Sequence, residues 1–139
     1  MKTNYSKKSN KQLEAILWKY FSLFIRLRDS DKNGYCRCIT CNKLMHYKEA
    51  DAGHFVSRNY KSMKYEEKNV NAQCPYENRF LSGKQYEHGI AIDKKYGLGT
   101  AEILISKSKM VCKRTTSGLI NMIEYYKKLV TENKLYKEV

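Results

Sequence analysis

Two groups of side chains in this sequence have the types and spacing to do chemistry. The first begins at "CITC", Cys38 to Cys41. A C-x-x-C turn points both sulfurs inward, so this pair can grip one tetrahedral ion, and Cys74 offers a third thiolate. A second C-x-x-C at 74 and 77 would complete a four-thiolate zinc site, but the chain carries Glu77 there. Carboxylate oxygen binds zinc at about the same distance as imidazole nitrogen, so a site of three sulfurs and one oxygen is chemically allowed. Cys36 and His46 are near enough in sequence to substitute. The alternative is a set of ordinary buried thiols in a hairpin that packs without metal.

The second group is "EADAGHFVSR", with Asp51 three residues before His54, followed by Asn69 and Asn78. If the cysteines bring residues 38–41 next to 74–77, the strand ending at His54 and the helix beginning near Asn78 must face each other. A carboxylate and an amide oxygen are hard ligands suited to Mg²⁺ or Mn²⁺. An imidazole beside them is a neutral base near pH 7. Arg58, Lys61 and Lys64 follow the histidine, and Arg79 and Lys84 flank Asn78, so cations from both arms could hold phosphates; a solvated basic surface is the alternative for any one of them. Phosphate contacts give affinity without sequence choice. His88 reads as an ordinary helix residue and Cys112 as a buried or idle thiol.

The elements that must position these groups follow from periodicity. Residues 9–28 open with Ser9 three before Gln12, a capping-box signature, and continue with Leu13, Ile16, Leu17, Tyr20, Phe24 and Leu27 at helical spacing. Trp18, Phe21, Leu23 and Ile25 widen that stripe, which calls for more than one covering surface, with a dimer contact as one candidate. Asn33-Gly34 marks a turn into an irregular cysteine-bearing segment. Residues 43–58 read as a small hairpin of two short strands turning near Gly53. A short helix is expected around Asn78, a second one stopping at Gly97, and another capped by Thr100. A last amphipathic helix runs from Ser117 to about Tyr136.

Composition bounds the setting. At 139 residues the chain is the size of one domain (1–139), comprising a helical arm (1–30), a core (31–97) and a helical C-terminal region (98–139). Five cysteines, three of them within "YCRCITC", suit reduced metal-binding thiols better than a disulfide framework. The net charge of +13, from 27 basic and 14 acidic residues, points to a polyanionic partner. No apolar run reaches membrane-spanning length and the basic N-terminus lacks an apolar signal core, so a soluble, non-secreted protein is expected, without a membrane partner. An RNA-binding role is disfavoured, because the aromatic motifs of the common RNA modules are missing.

The motifs Cys38-x-x-Cys41, Asp51-Ala-Gly-His54, Asn69-Val-x-x-Gln73-Cys74 and Asn78-Arg-x-Leu-Ser-Gly83 resemble the phage recombination nucleases of the NinG (Rap) family. That family resembles the HNH, or His-Me finger, nucleases. The preceding "FSLFIRLRD" and the Tyr- and Lys-rich helical tail are similar too, so the likeness covers nearly the whole chain; Asp-x-x-His with a later Asn is also similar to recombination endonuclease VII. The resemblance implies an α+β fold, mostly helical, with a small ββα-metal core and a structural zinc between long amphipathic helices. It implies cleavage of branched DNA such as D-loops and Holliday junctions, by a homodimer, in the cytoplasm of a phage's bacterial host. Under it, His54 matches the general base, Asp51 and Asn78 match ligands of the catalytic Mg²⁺ or Mn²⁺, and Asn69 matches the residue that holds the loop and orients the histidine. Glu77 departs from the family's cysteine and puts the zinc in doubt. The alternative is a non-catalytic zinc-dependent DNA-binding module in which Asp51 and Asn78 are passengers.

Overall fold

The computed structural model describes residues 4–137, with side chains through residue 132. Helix α1, Asn10–Arg28, starts at the expected capping box: Ser9 Oγ accepts the Gln12 N–H at 3.2 Å, and Gln12 Oε1 accepts the Ser9 N–H at 2.9 Å. Such a cap contributes about 1 kcal/mol. The last helix, α4, Thr116–Lys137, lies along α1. Leu13, Leu17, Phe21 and Phe24 of α1 bury themselves with Leu119, Ile123, Tyr126 and Val130 of α4. Each fully buried aliphatic or Phe side chain contributes roughly 1.5–3 kcal/mol. Phe21 also meets Tyr126 and Tyr65 edge-on, at 5.0 and 5.4 Å between ring centroids. The apolar stripe of α1, considered as a dimer contact, is therefore covered in large part by α4 of the same chain.

Along the chain between these helices come two short antiparallel pairs. β1 (Tyr35–Arg37) pairs with β2 (Leu44–His46), and β3 (Asp51–His54) pairs with β4 (Val70–Gln73). The expected hairpin within 43–58 is thus corrected. The segment holds two strands, β2 and β3, but they do not pair with each other, Gly53 sits inside β3 opposite Asn71, and no strand follows it in residues 55–58. The tight turn is instead the cysteine knuckle between β1 and β2, where Asn42 adopts φ 64° and donates to the Cys38 carbonyl at 2.8 Å. Gly53 is needed for closeness: a Cβ there would fall on Gln73 Oε1 and reach 3.1 Å from Asn78 Oδ1.

The helix expected at Asn78 is one π-helical turn, Tyr76–Phe80. Helix α2, Gln85–Tyr96, does stop at Gly97. In α3, Thr100–Lys107, the residue expected as the cap is the first helical residue and Gly99 precedes it. About half of the chain is helical, giving an α+β protein with two small sheets. No helix among the described residues is long and apolar enough to cross a membrane.

A charged joint fixes β4 against α1. Arg28 donates to the carbonyls of Glu67 at 2.8 Å and Val70 at 3.0 Å, and Asp29 Oδ2 accepts the Ala72 N–H at 2.8 Å. Lys95 of α2 reaches Asp29 Oδ1 at 2.8 Å. Burial raises the Asp29 carboxyl, but Arg28 and Lys95 outweigh it and hold it below the ordinary carboxylate range. A buried charge is retained here because both partners come with it.

Candidate metal centre and candidate active site

The knuckle and the first turn after Pro75 bring Cys38, Cys41, Cys74 and Glu77 together, with ligand atoms all within 4.8 Å of one another. Cys41 Sγ lies 3.9 Å from Cys74 Sγ, and Cys38 Sγ lies 3.8 Å from Glu77 Oε1. A tetrahedron with metal–sulfur bonds of about 2.3 Å has edges of about 3.8 Å, so the donor set fits zinc in number, type and spacing. Burial raises the Cys38 thiol, but the Thr40 hydroxyl and the N–H groups of Cys74, Cys41 and Thr40 outweigh it, leaving the thiol below its ordinary value. The knuckle thus favours a thiolate at Cys38. Cys36 and His46 lie outside the set: Cys36 is 2% exposed among apolar neighbours, and His46 meets the rings of Tyr35 and Tyr47. The cluster could bind a metal such as zinc.

Glu77 has a further hold. Thr40 Oγ1 sits against both Cys38 Sγ and Glu77 Oε1, with one proton to share between them, and accepts Gln73 Nε2 at 3.0 Å, while Gln73 Nε2 also donates to the Gly83 carbonyl at 2.8 Å. Thr40 was not singled out from sequence, and Gln73 only within the motif Asn69-Val-x-x-Gln73-Cys74, without a role of its own. For Gln73 a signal existed: β4 is buried at all four positions, and an amide in such a strand must join a polar network.

The second constellation lines an open cleft of about 790 Å³ that contains Asp51, His54, Arg58, Asn78 and Arg79, together with Trp18, Ser22 and Arg26 of α1. His54 Nε2 lies 3.0 Å from the Lys64 carbonyl. A carbonyl only accepts, so Nε2 carries the proton and the neutral ring keeps its lone pair on Nδ1, which makes no hydrogen bond to any described residue. Trp18 stacks on the ring at 5.1 Å, a contact from the off-seam face of α1. Burial, reinforced by the charges of Arg58 and Lys64, pushes the His54 pKa down to about 4, so the imidazole stays neutral well below pH 7.

Asn69 is fully buried and holds the loop after His54. Its amide donates to the carbonyls of Val56 at 2.9 Å and Met63 at 3.1 Å, and its oxygen accepts the Val56 N–H at 2.7 Å. The carbonyl that orients His54 belongs to the residue after Met63, so the clamp reaches the histidine through one peptide. Asn78 Nδ2 donates to Asp51 Oδ2 at 3.0 Å. Arg79 closes on the same carboxylate with two bonds of 2.8 Å from a side chain 63% exposed. One carboxylate and one amide suit a hard divalent ion, but an ion there has a guanidinium to displace.

Of the five cations proposed for phosphate, Arg58 and Arg79 line this cleft and the others do not. Lys61 borders a separate hollow with Lys113 and Arg114. Lys64 lies 4.0 Å from Glu14 and over the Tyr65 ring, and Lys84 precedes α2 in a left-handed conformation. His88 is a helix residue, as read, and is fully buried with Nε2 3.4 Å from Asn71 Nδ2.

Fold and site together define a small α+β protein with a thiol–carboxylate cluster able to take a metal beside a cleft holding histidine, aspartate and asparagine. The chain belongs to the family described as bacteriophage lambda NinG protein, whose family model matches residues 2–137. No curated protein and no solved structure matches it.

Proposed function

We propose that this chain is a metal-dependent, structure-selective DNA endonuclease acting on branched intermediates of phage recombination, with zinc held by Cys38, Cys41, Cys74 and Glu77 in a structural role. The observation that carries the reading is His54: a neutral imidazole, its Nε2–H tied to the Lys64 carbonyl and its Nδ1 free, in the cleft shared by Asp51 and Asn78. The order of β3 ending at His54, then β4, then the helical turn bearing Asn78 supports a ββα-metal core.

In this mechanism His54 Nδ1 takes a proton from water as the water oxygen attacks phosphorus. The P–O3′ bond breaks, leaving 5′-phosphate and 3′-hydroxyl ends, and the departing 3′ oxygen collects its proton from solvent. Asp51 and Asn78 would hold a Mg²⁺ or Mn²⁺ ion, which when bound stabilises negative charge on the phosphate and the leaving oxygen. Arg58, and Arg79 once off Asp51, hold neighbouring phosphates. Two symmetric nicks at a junction require a twofold homodimer, built on surfaces other than the stripes that α1 and α4 spend on each other.

The test is cleavage of synthetic four-way junctions, D-loops and linear duplex with Mg²⁺ or Mn²⁺. Wild type cuts the branched substrates, and His54→Ala is about 10²- to 10⁴-fold slower with junction binding retained. If both proteins bind junctions and neither cuts with any divalent ion, the nuclease reading fails. The second reading, a non-catalytic DNA-binding module, then stands; the Arg79–Asp51 pair favours it, because a carboxylate already neutralised needs no metal.

A further inference from the structure

The π-helical turn that carries Asn78 and Arg79 also exposes two rings. Tyr76 is 63% and Phe80 75% exposed, and their centroids lie 6.2 Å apart with planes inclined at 37°. Four residues apart on one helical turn, they stand on a common side as adjacent apolar faces. The turn beneath them is anchored at both ends, by the Asn78 N–H on the Cys74 carbonyl at 3.0 Å and the Gly83 N–H on the Glu77 carbonyl at 2.9 Å. The rings therefore sit on a firm mount beside the cleft.

Charge narrows what could lie on them. The nearby acids are engaged, Asp51 by Arg79 and Glu77 by Thr40, while Arg26, Arg58 and Arg79 line the adjoining cleft. In a chain of net charge +13, this combination suits an occupant with flat apolar faces on an anionic backbone, which is the chemistry of a nucleic acid with unstacked bases. Continuous duplex hides its base faces in the stack; a branch point, gap or flap opens them.

We propose that Tyr76 and Phe80 form a base-stacking platform that takes unpaired bases at a branch and so sets the preference for branched over linear DNA. The proposal rests on the nuclease reading for what the cleft does, but it concerns binding and needs no turnover. The rings share their helical turn with Asn78 and Arg79, which line the cleft, so the turn that would select the substrate also presents Asn78.

The experiment measures binding of wild type and the double variant Tyr76→Ala/Phe80→Ala to a four-way junction and to linear duplex, without divalent ions. The fluorescent base 2-aminopurine marks the branch. Both rings are exposed, so circular dichroism and zinc content should match wild type. Wild type should favour the junction and change the 2-aminopurine signal. In the double variant the junction-to-duplex affinity ratio should fall by tenfold or more, with the fluorescence change lost, while Tyr125→Ala, which removes an exposed ring on α4, keeps both.

A double variant that retains the ratio and the signal overturns the platform and leaves the nuclease reading intact. A wild-type protein that binds neither DNA, or binds both equally, overturns the platform and counts against the branched-DNA reading itself. A double variant that loses a wild-type dimer in sedimentation also overturns it, because the rings then serve a second copy of the chain.

Discussion

The thiol–carboxylate cluster and the His54 cleft are built from adjoining residues, Glu77 in one and Asn78 in the other, yet they are finished differently. In the cluster four donors converge, Cys38 and Cys74 are almost fully buried, and Thr40 holds the Glu77 carboxylate. In the cleft one histidine nitrogen is tied down and the other is left open, and the key carboxylate is covered by an exposed arginine that has no other partner among the described residues. The proposed structural site satisfies its own groups. The proposed reacting site keeps one lone pair unengaged and a counter-charge that an ion or phosphate could displace.

The sharpest way to break that contrast is to remove the metal from the holding site. Purified protein should contain about one zinc per chain, and Cys74→Ser or a strong chelator should cost several kcal/mol of stability, because metal binding in such a site is folding energy. If stripping the metal moves the thermal midpoint by less than about 3 °C, the four residues are merely well packed. A smaller effect is expected from Asn69→Ala, which strands three backbone groups of the buried loop. It should cost about 3 kcal/mol and slow cleavage with zinc content unchanged, which metal analysis beside a single-turnover assay would show.

Arg79→Ala sharpens the other half. Removing the guanidinium from Asp51 should tighten Mn²⁺ binding severalfold, read by electron paramagnetic resonance, while weakening DNA binding. Unchanged Mn²⁺ affinity would mean that Arg79 does not compete for that carboxylate.

A further test is in pH. Burial first of all holds the pKa values of His54 and His88 down at about 4, whereas the unfolded chain takes up these protons near pH 6.5. The folded state therefore binds fewer protons between those values, and stability should fall as pH drops from about 6.5 towards 4. Urea titrations across that window should show the slope, and His88→Leu should flatten it. Asp29 works in the same direction but in a lower window: with its pKa held below the ordinary carboxylate value, its contribution is lost only as pH falls further.

What could be read directly from the sequence was local. The Ser9–Gln12 cap, the long amphipathic helices, the stop at Gly97 and the Cys38-x-x-Cys41 turn depend on residues within a few positions of one another, and the structure places them where the spacing puts them. The meeting of His54 with Asn78 was legible because the cysteines imply it. Strand partnering was not, since short strands around Gly53 can close on each other or on distant chain with similar patterns. What decided it was the Arg28–Asp29 joint that seats β4, and Gly53's approach to Gln73.

The same division runs through the candidate site. Residue types determined which chemistries were available: thiolates for zinc, hard oxygens for a divalent ion, an imidazole for proton transfer. Only the tertiary structure chose Glu77 over Cys36 or His46, put the proton on His54 Nε2, stacked Trp18 on that ring and laid Arg79 across Asp51. Each of these is a contact whose direction depends on how separate elements pack, which local spacing does not encode.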